Sequence, residues 1–169
     1  MSRIAYVNGR YISHQDAAVH IDDRGYQFAD GVYEVIAVHN GQLVDADRHM
    51  KRLERSLKEL QINPPMVGAA LLHVIQETIR RNTVRNGIVY LQITRGVAPR
   101  DHKFPKYAVP SVVVTAKRTK PMANTHIEKG VSVITIPDIR WLRRDIKSIS
   151  LLPNCLGKQQ AAEAGAFEA

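Results

Sequence analysis

Apolar and polar residues alternate over short runs in the first quarter of the chain. IAYVNGRYIS places two β-prone runs around Asn8-Gly9, and VYEVIAV leads into a second turn at Asn40-Gly41. Asn-Gly between apolar runs is the strongest short-range signal for a β-hairpin. On an extended backbone one face of the second run carries Tyr33, Val35 and Ala37, and the other carries Val32, Glu34, Ile36 and Val38. The pattern predicts two hairpins.

A helical period replaces the alternation from Asp45 to Leu60, where Met50, Leu53, Leu57 and Leu60 form an apolar stripe. A second amphipathic stretch follows and stops near Asn86-Gly87. Two more β-prone runs, IVYLQITRG and SVVVTAK, are joined by the loop VAPRDHKFPKYAVP, which is rich in proline and charge. Hairpins around two helices, without regular βαβ alternation, predict an α+β domain.

A polar segment, TKPMANTHIEK, interrupts the pattern and is the candidate linker between two lobes. We therefore predict a small N-terminal α+β domain over residues 1–120. Residues 121–169 are predicted to begin a larger domain, with a strand at VSVITI, a helix from about Leu151 to Ala164 and the start of another strand at AFEA. About fifty residues are few for a self-sufficient core, so this second domain is expected to be incomplete.

The chain has 169 residues and a formal net charge of +8, from 24 Lys and Arg against 16 Asp and Glu. A basic balance favours anionic partners, although the charges are spread rather than gathered into one run. The single cysteine, Cys155, excludes an internal disulfide and is expected in the core, and no metal-type Cys/His cluster is present. No signal-peptide core and no apolar stretch of membrane-spanning length occur. A cytoplasmic protein without a membrane segment is expected.

Lys147 is the most informative candidate for chemistry, and its surroundings allow two readings. In RWLRRDIKSIS, Asp145, Lys147 and Ile149 share one face of an extended backbone. The lysine is then either a surface residue that reaches water or a desolvated amine made nucleophilic by a lowered pKa. The local pattern alone favours the surface reading.

Four further residues could take part in chemistry. Arg100 and His102 are two residues apart in PRDHKFP, where a guanidinium and an imidazole can clamp a carboxylate. Tyr33 follows a tight turn, and Arg52 flanks the stripe of the first predicted helix. Each of these is also explained by an ordinary core or surface role. No GxGxxG, Walker-type or HExxH motif is present.

Four separated motifs give a resemblance that no one of them gives alone. DRGYQFADGVYEV, RHMKRL, TRGVAPRDHKFP and IRWLRRDIKSISLLPNCLGKQQAAEAG occur in this order and span nearly the whole chain. Together they resemble the fold-type IV pyridoxal-phosphate enzymes, and within that class the D-amino-acid aminotransferases. The resemblance implies a two-lobed architecture, in which a small α+β domain precedes the larger cofactor-binding domain.

The resemblance also implies roles for particular residues. Lys147 matches the lysine that holds pyridoxal 5'-phosphate as a Schiff base, and Arg52 matches the arginine that pairs with the cofactor phosphate. Tyr33, Arg100 and His102 match the trap for the substrate α-carboxylate. The loop that carries the last two crosses a dimer interface in the relatives, so a homodimer is implied. No metal is implied.

The implied reaction converts D-alanine and 2-oxoglutarate to pyruvate and D-glutamate in a ping-pong cycle. Ala37 stands where close relatives have a lysine, which leaves a preference for acidic substrates open. The sequence also ends before the region where relatives place the glutamate that faces the pyridine nitrogen. If 169 residues are the whole polypeptide, we expect it to be inactive as a transaminase by itself.

Alternative functions remain at this point. One is a branched-chain aminotransferase or an aminodeoxychorismate-lyase-like enzyme of the same fold, against which PRDHKFP argues. Another is a non-catalytic truncated domain that dimerises or binds an anion. Nucleic-acid binding has the least support, because aromatic residues make up only 6% of the chain and do not alternate with the basic ones.

Overall fold

The computed structural model describes residues 3–120 and 124–169. Within these ranges the strands are β1 (Ile4–Val7), β2 (Arg10–Ser13), β3 (Gly31–His39), β4 (Gln42–Leu43), β5 (Gly87–Thr94) and β6 (Ser111–Arg118). The helices are α1 (Arg24–Phe28), α2 (Ala46–Glu59), α3 (Gly68–Arg81), α4 (Asn124–Lys129) and α5 (Leu152–Glu163). This mixture of hairpins and helices confirms the predicted α+β class.

The strands form one antiparallel sheet in the order β2-β1-β6-β5-β3-β4. Both predicted hairpins are present. Their turns place Asn8 and Gly9 at φ of 45° and 92°, and Asn40 and Gly41 at 50° and 81°. Two successive positive φ angles are what a tight hairpin turn requires, and asparagine and glycine are the residues that adopt them most readily. The turns therefore fix the register of the two hairpins.

The helices cover one face of the sheet. α2 packs on β3, while α3 packs on β1, β5 and β6. The core between them contains the inward positions of the strands and the helix stripes, notably Val32, Ile36, Leu53, Leu57, Leu71, Ile75, Val89, Leu91, Ile93 and Val114. The opposite positions of β3, including Tyr33 and Val35, are only half-buried. One face of the sheet is thus covered by the helices, and the other, which carries Tyr33 and Val35, is the open face.

The segment Asp145–Ile149 lies along the edge of β3 and belongs with the first compact unit, which otherwise comprises the residues up to Thr119. Tyr33 donates its backbone N–H to the carbonyl of Lys147 at 3.1 Å, and Ile149 donates to the carbonyl of Gly31 at 3.1 Å. An isolated antiparallel bridge joins Val32 to Ser148. The segment therefore extends the sheet beyond the short β4, which pairs only with the far end of β3.

The second unit comprises residues 120–144 and 150–169. The predicted strand at VSVITI is reduced to one parallel bridge between Val133 and Glu168. The predicted C-terminal helix is present as α5, but the expectation that Cys155 lies in the core was wrong, since it is exposed. α5 buries only Gly157 and Ala161, which lie one turn apart, and Cys155 is not on that stripe. The assignment of residues 1–120 and 121–169 to two domains stays a prediction.

None of the helices described is long and apolar enough to cross a lipid bilayer.

Candidate active site

Lys147 projects from the edge segment onto the open face of the sheet. Ile146 and Ser148 are buried on the helix side, whereas Lys147 is half-buried on the side of Tyr33. This is the alternation that an extended backbone predicts. Its Nζ lies 4.1 Å from the centroid of the Tyr33 ring. An ammonium at this distance is attracted by the negative face of the ring. The amine is therefore held over Tyr33 rather than released into water.

The backbone of Lys147 is fixed from both sides. Its carbonyl accepts the N–H of Tyr33 on β3, and its own N–H donates to Ser56 Oγ on α2 at 3.2 Å. Ser56 is 1% exposed, so this hydroxyl has little competition from water. Arg55, on the same turn of α2, donates to the carbonyl of Asp145. Strand and helix together position the lysine.

Tyr33 also stacks on Tyr90 of the neighbouring strand, with ring centroids 5.8 Å apart and an interplanar angle of 28°. The Tyr90 hydroxyl donates to the side-chain oxygen of Gln92 at 2.6 Å. Burial raises the pKa of Tyr90, and the neighbouring Tyr33 adds to the rise. The hydroxyl thus stays a neutral donor, and the open face next to Lys147 is lined by groups that hydrogen-bond without bringing a charge.

Arg52 does not simply point into water, because Glu34 holds it. The guanidinium of Arg52 donates from Nε and Nη2 to the two carboxylate oxygens of Glu34, each at 2.7 Å. His49 Nδ1 lies 2.8 Å from the same carboxylate. Burial by itself would raise the pKa of Glu34, but the hydrogen bonds and charges of Arg52 and His49 lower it overall. The hydrogen bonds with Glu34 in turn raise the pKa of Arg52. The three side chains form a charged cluster.

The geometry leaves one edge of Arg52 available. Glu34 is fully buried, while the Arg52 side chain is 45% exposed. Within the part of the chain that the structure describes, Nη1 of Arg52 makes no hydrogen bond. A guanidinium presents its donors in a fixed fork, so fixing one edge aims the other. The available edge suits a phosphate or carboxylate.

The predicted carboxylate clamp occupies another part of the first unit. Arg100 Cζ lies 4.8 Å from the centroid of the Phe28 ring, and the rings of His102 and Phe28 are 5.4 Å apart. The structure thus places Arg100 and His102 against the same ring. It does not bring them into contact with Lys147 or Arg52 among the residues described. The pair and the lysine are two separate groups within this chain.

Sequence reasoning missed three supporting residues: Arg24, Glu34 and Ser56. The one available signal was the alternation that puts a carboxylate, Glu34, on the apolar face of β3, where an unpaired charge is too costly to persist. Nothing in the sequence marked Ser56 or Arg24. Among residues 3–120 and 124–169, no group of three or more His, Cys, Asp or Glu side chains is placed to hold a metal ion.

Taken together, the first unit offers the amine of Lys147 over the Tyr33 ring on the open face of the sheet and, on α2, an arginine with a free guanidinium edge. These are the groups needed to attach an aldehyde-bearing, phosphorylated cofactor, since an amine condenses with an aldehyde and a guanidinium pairs with a phosphate. The donor set therefore fits pyridoxal phosphate.

Comparison with known proteins agrees with these features. The sequence profile of the class IV amino-transferases matches residues 31–169. The chain is 47% identical over 163 residues to the D-alanine aminotransferase of Bacillus licheniformis, covering 96% of this chain and 57% of that protein. The chain thus spans little more than half the length of this curated relative.

Solved structures show the same fold. The branched-chain aminotransferase of the archaeon Thermoproteus uzoniensis, solved with norvaline, superposes with a TM-score of 0.84 at 20% identity, over 99% of this chain and 58% of that one. The 4-amino-4-deoxychorismate lyase of Pseudomonas aeruginosa gives a TM-score of 0.75 at 24% identity, over 92% and 56%. The profile match covers most of the chain, including β3, α2 and Lys147. The protein belongs to the class IV aminotransferase family.

Proposed function

We propose that the protein carries out pyridoxal-phosphate-dependent transamination, with D-amino acids as amino donors and 2-oxo acids as acceptors. The observation that carries this proposal is the placement of Lys147. Its amine lies 4.1 Å from the Tyr33 ring on the open face of the sheet, in a chain of the class IV aminotransferase family. A lysine that is only a solvated surface group needs neither the ring nor the two backbone restraints.

Two residues of this chain are proposed to hold the cofactor. Lys147 attaches it through Nζ, and Arg52 binds its phosphate with the guanidinium edge that Glu34 leaves free. When bound, pyridoxal phosphate supplies the electron sink that makes loss of the substrate α-proton feasible. Because Arg52 is permanently charged and held at one edge, it offers a dianion a donor that needs little reorganisation.

Lys147 is also the proposed acid–base group. With cofactor and substrate bound, Nζ of Lys147 would accept the substrate α-proton and later return it. Tyr33 limits where the lysine can move, because its ring stands directly under Nζ. The hydrogen bonds from β3 and to α2 hold the backbone of Lys147 in place, so that only the side chain has to move.

Arg100, His102 and Tyr33 are proposed to bind the substrate α-carboxylate. Arg100 and His102 are separate from Lys147 within this chain, and a homodimer in which one protomer's loop serves its partner's lysine is part of the proposal. A cytoplasmic location, expected from the cysteine content, is also part of it. D-amino acids are favoured because the D-alanine aminotransferase relative is 47% identical, whereas the branched-chain aminotransferase neighbour is only 20% identical.

The cofactor assignment is tested with purified protein and pyridoxal phosphate. We expect the visible absorption of a lysine-bound cofactor in wild type, and borohydride reduction should fix the added mass on the peptide that contains Lys147. Lys147→Ala should lose both signals, while the matched control Lys51→Ala, an exposed lysine of α2, should keep them. Label on another lysine, or an unchanged band in Lys147→Ala, would remove Lys147 from this role.

The substrate assignment needs a separate assay. D-alanine with 2-oxoglutarate should yield pyruvate faster than L-leucine with 2-oxoglutarate yields its 2-oxo acid. The reverse order would favour the branched-chain alternative. Cofactor attachment to Lys147 without any turnover would instead favour the reading of a non-catalytic domain, for which the partial coverage of the relative is the supporting observation.

A further inference from the structure

The DRGYQF segment of the chain borders the loop that carries Arg100 and His102. The backbone N–H of Arg24 donates to the carbonyl of Gly96 at 2.9 Å, and that of Ala98 donates to Asp22 at 3.3 Å. An isolated bridge joins Asp23 to Val97. These bonds close the base of the loop but do not reach its tip.

The Arg24 side chain connects the same segment to the tip of the loop. It is only 3% exposed, which is unusual for an arginine unless it is paired. Nε donates to Asp30 Oδ2 at 2.8 Å. Nη1 donates to the carbonyl of Asp101 at 2.5 Å, and Nη2 to that of His102 at 3.5 Å. One planar guanidinium therefore bridges a buried carboxylate and two consecutive carbonyls of the loop.

Asp30 is itself immobilised. Arg95, which is 6% exposed, donates to both its oxygens, from Nε at 2.7 Å and from Nη2 at 3.0 Å. Two guanidiniums around one carboxylate leave a net charge of +1. Backbone carbonyls of the loop and of Leu60 and Gln61 accept further N–H groups of the two arginines. The anchor of the loop is thus built into the buried part of the first unit.

The side chains of the clamp rest on a common ring next to this anchor. Phe28 has the guanidinium of Arg24 4.9 Å from its centroid and that of Arg100 4.8 Å away, and the His102 ring lies 5.4 Å away. Arg100 and His102 are otherwise exposed. Exposed loop charges lose conformational entropy when they bind a ligand, and a fixed loop backbone with a supporting ring reduces that cost.

We propose that Arg24 is a positioning residue for substrate-carboxylate binding, because it fixes the backbone of the loop that presents Arg100 and His102. The predicted effect of Arg24 on substrate binding rests on the proposed function. Its predicted effect on the loop backbone does not. Arg24 contacts neither substrate nor cofactor in this scheme. Each of its three nitrogens donates one hydrogen bond, to Asp30 or to a loop carbonyl.

The test uses Arg24→Met, Arg24→Lys and the control Arg10→Met, an exposed arginine of β2. Methionine fills a similar volume while Asp30 keeps its pairing with Arg95, so the fold is expected to survive, and thermal unfolding verifies it. Hydrogen–deuterium exchange without cofactor measures the loop, residues 97–104, against β5. Steady-state kinetics with D-alanine and 2-oxoglutarate, and a pyridoxal-phosphate titration, measure function.

We expect Arg24→Met to speed exchange in the loop but not in β5, to raise KM for both substrates by about 10- to 100-fold and to change kcat by less than about 3-fold. Cofactor affinity should be unchanged. Arg24→Lys should fall between wild type and Arg24→Met, because an ammonium replaces only part of a fork that meets three acceptors. Arg10→Met should match wild type in every measurement.

Unchanged loop exchange in Arg24→Met would overturn the proposal regardless of the kinetics. Faster exchange with unchanged KM would overturn it as well, because the anchoring would then have no bearing on carboxylate binding. If the proposed function is wrong, the wild-type protein will not turn over D-alanine. The hydrogen exchange of the loop will still show whether Arg24 fixes it.

Discussion

Glu34→Gln is the substitution that most directly tests the charged cluster of Glu34, Arg52 and His49 on the helix side of β3. Glu34 is fully buried and accepts two hydrogen bonds from Arg52 and one from His49. Glutamine keeps the volume but removes the charge, and it puts an NH2 group where one of the accepting oxygens was. That NH2 faces donors of Arg52 or His49, so at least one hydrogen bond is lost and the partner is left unsatisfied.

The magnitude follows from the environment of each partner. Hydrogen bonds to charged groups contribute about 1.5–3 kcal/mol each. Removing one member of a fully buried ion pair costs about 3–5 kcal/mol, but Arg52 is 45% exposed, so water compensates part of the loss. We expect Glu34→Gln to lower the free energy of unfolding by about 2 kcal/mol. For a chain of this size that lowers Tm by about 4–8 °C.

The pH dependence gives a second, independent signature. The pKa of Glu34 lies below its ordinary value of 4.5 because, although burial opposes this, Arg52 and His49 stabilise the carboxylate. A lowered folded-state pKa contributes stability that is present above the unfolded-state pKa and is lost as the pH falls through the folded value. The stability gap between wild type and Glu34→Gln should therefore be constant near neutral pH and shrink below about pH 4.5.

The assay is urea unfolding from pH 7 down to pH 3, together with pyridoxal-phosphate titration at neutral pH. Since Glu34 aims Arg52, the substitution should also weaken cofactor binding by about tenfold, or about 1.4 kcal/mol. Glu54→Gln, which removes an exposed carboxylate from the same helix, is the control and should change neither quantity. A gap that stays constant into acid, or a Glu34→Gln protein as stable as wild type, would refute the ion-pair reasoning.

Two further substitutions test the frame around Lys147. Ser56→Ala should lower the free energy of unfolding by about 1–2 kcal/mol, because the half-buried N–H of Lys147 loses its acceptor; urea unfolding with no loss would contradict this. Gly31→Ala should be more damaging, by about 3 kcal/mol or more, since an added Cβ would meet the carbonyl oxygen of Ile93 at 2.7 Å. Gly68→Ala is its control, since nothing lies within 4 Å of an added Cβ there, and equal effects of the two would show that the close approach at Gly31 is tolerated.

The alternation along the chain was sufficient to assign side chains to faces. It grouped Tyr33 with Val35 and Ala37, and Glu34 with Val32 and Ile36. Which of these faces is open came from the packing of the helices. The alternation was also sufficient for the hairpins, because Asn-Gly turns are local in their requirements. It failed at VSVITI, where β-prone residues form a single bridge, since a strand needs a partner that local propensity does not supply.

Functional residues were harder to predict from the sequence than the faces of the strands. Lys147 was identified as a candidate by four motifs that occur in order, not by the residues next to it. Even then, the resemblance gave roles without showing what supports them. The resemblance implied that Arg52 pairs with the cofactor phosphate. The structure shows that one edge of its guanidinium is already hydrogen-bonded to Glu34. The loop of Arg100 and His102 was identified, but its anchor at Arg24 was not.

By itself the sequence determined the α+β class, the hairpin turns, the helix stripes and the face on which each strand residue lies. Each of these depends on residues close together in the chain, through backbone preference and the periods of strand and helix. Only the tertiary structure decided that Ser56 meets Lys147 across 91 positions and that Arg24 meets Asp101 across 77. Such contacts depend on how whole elements pack, because no local period links residues that far apart.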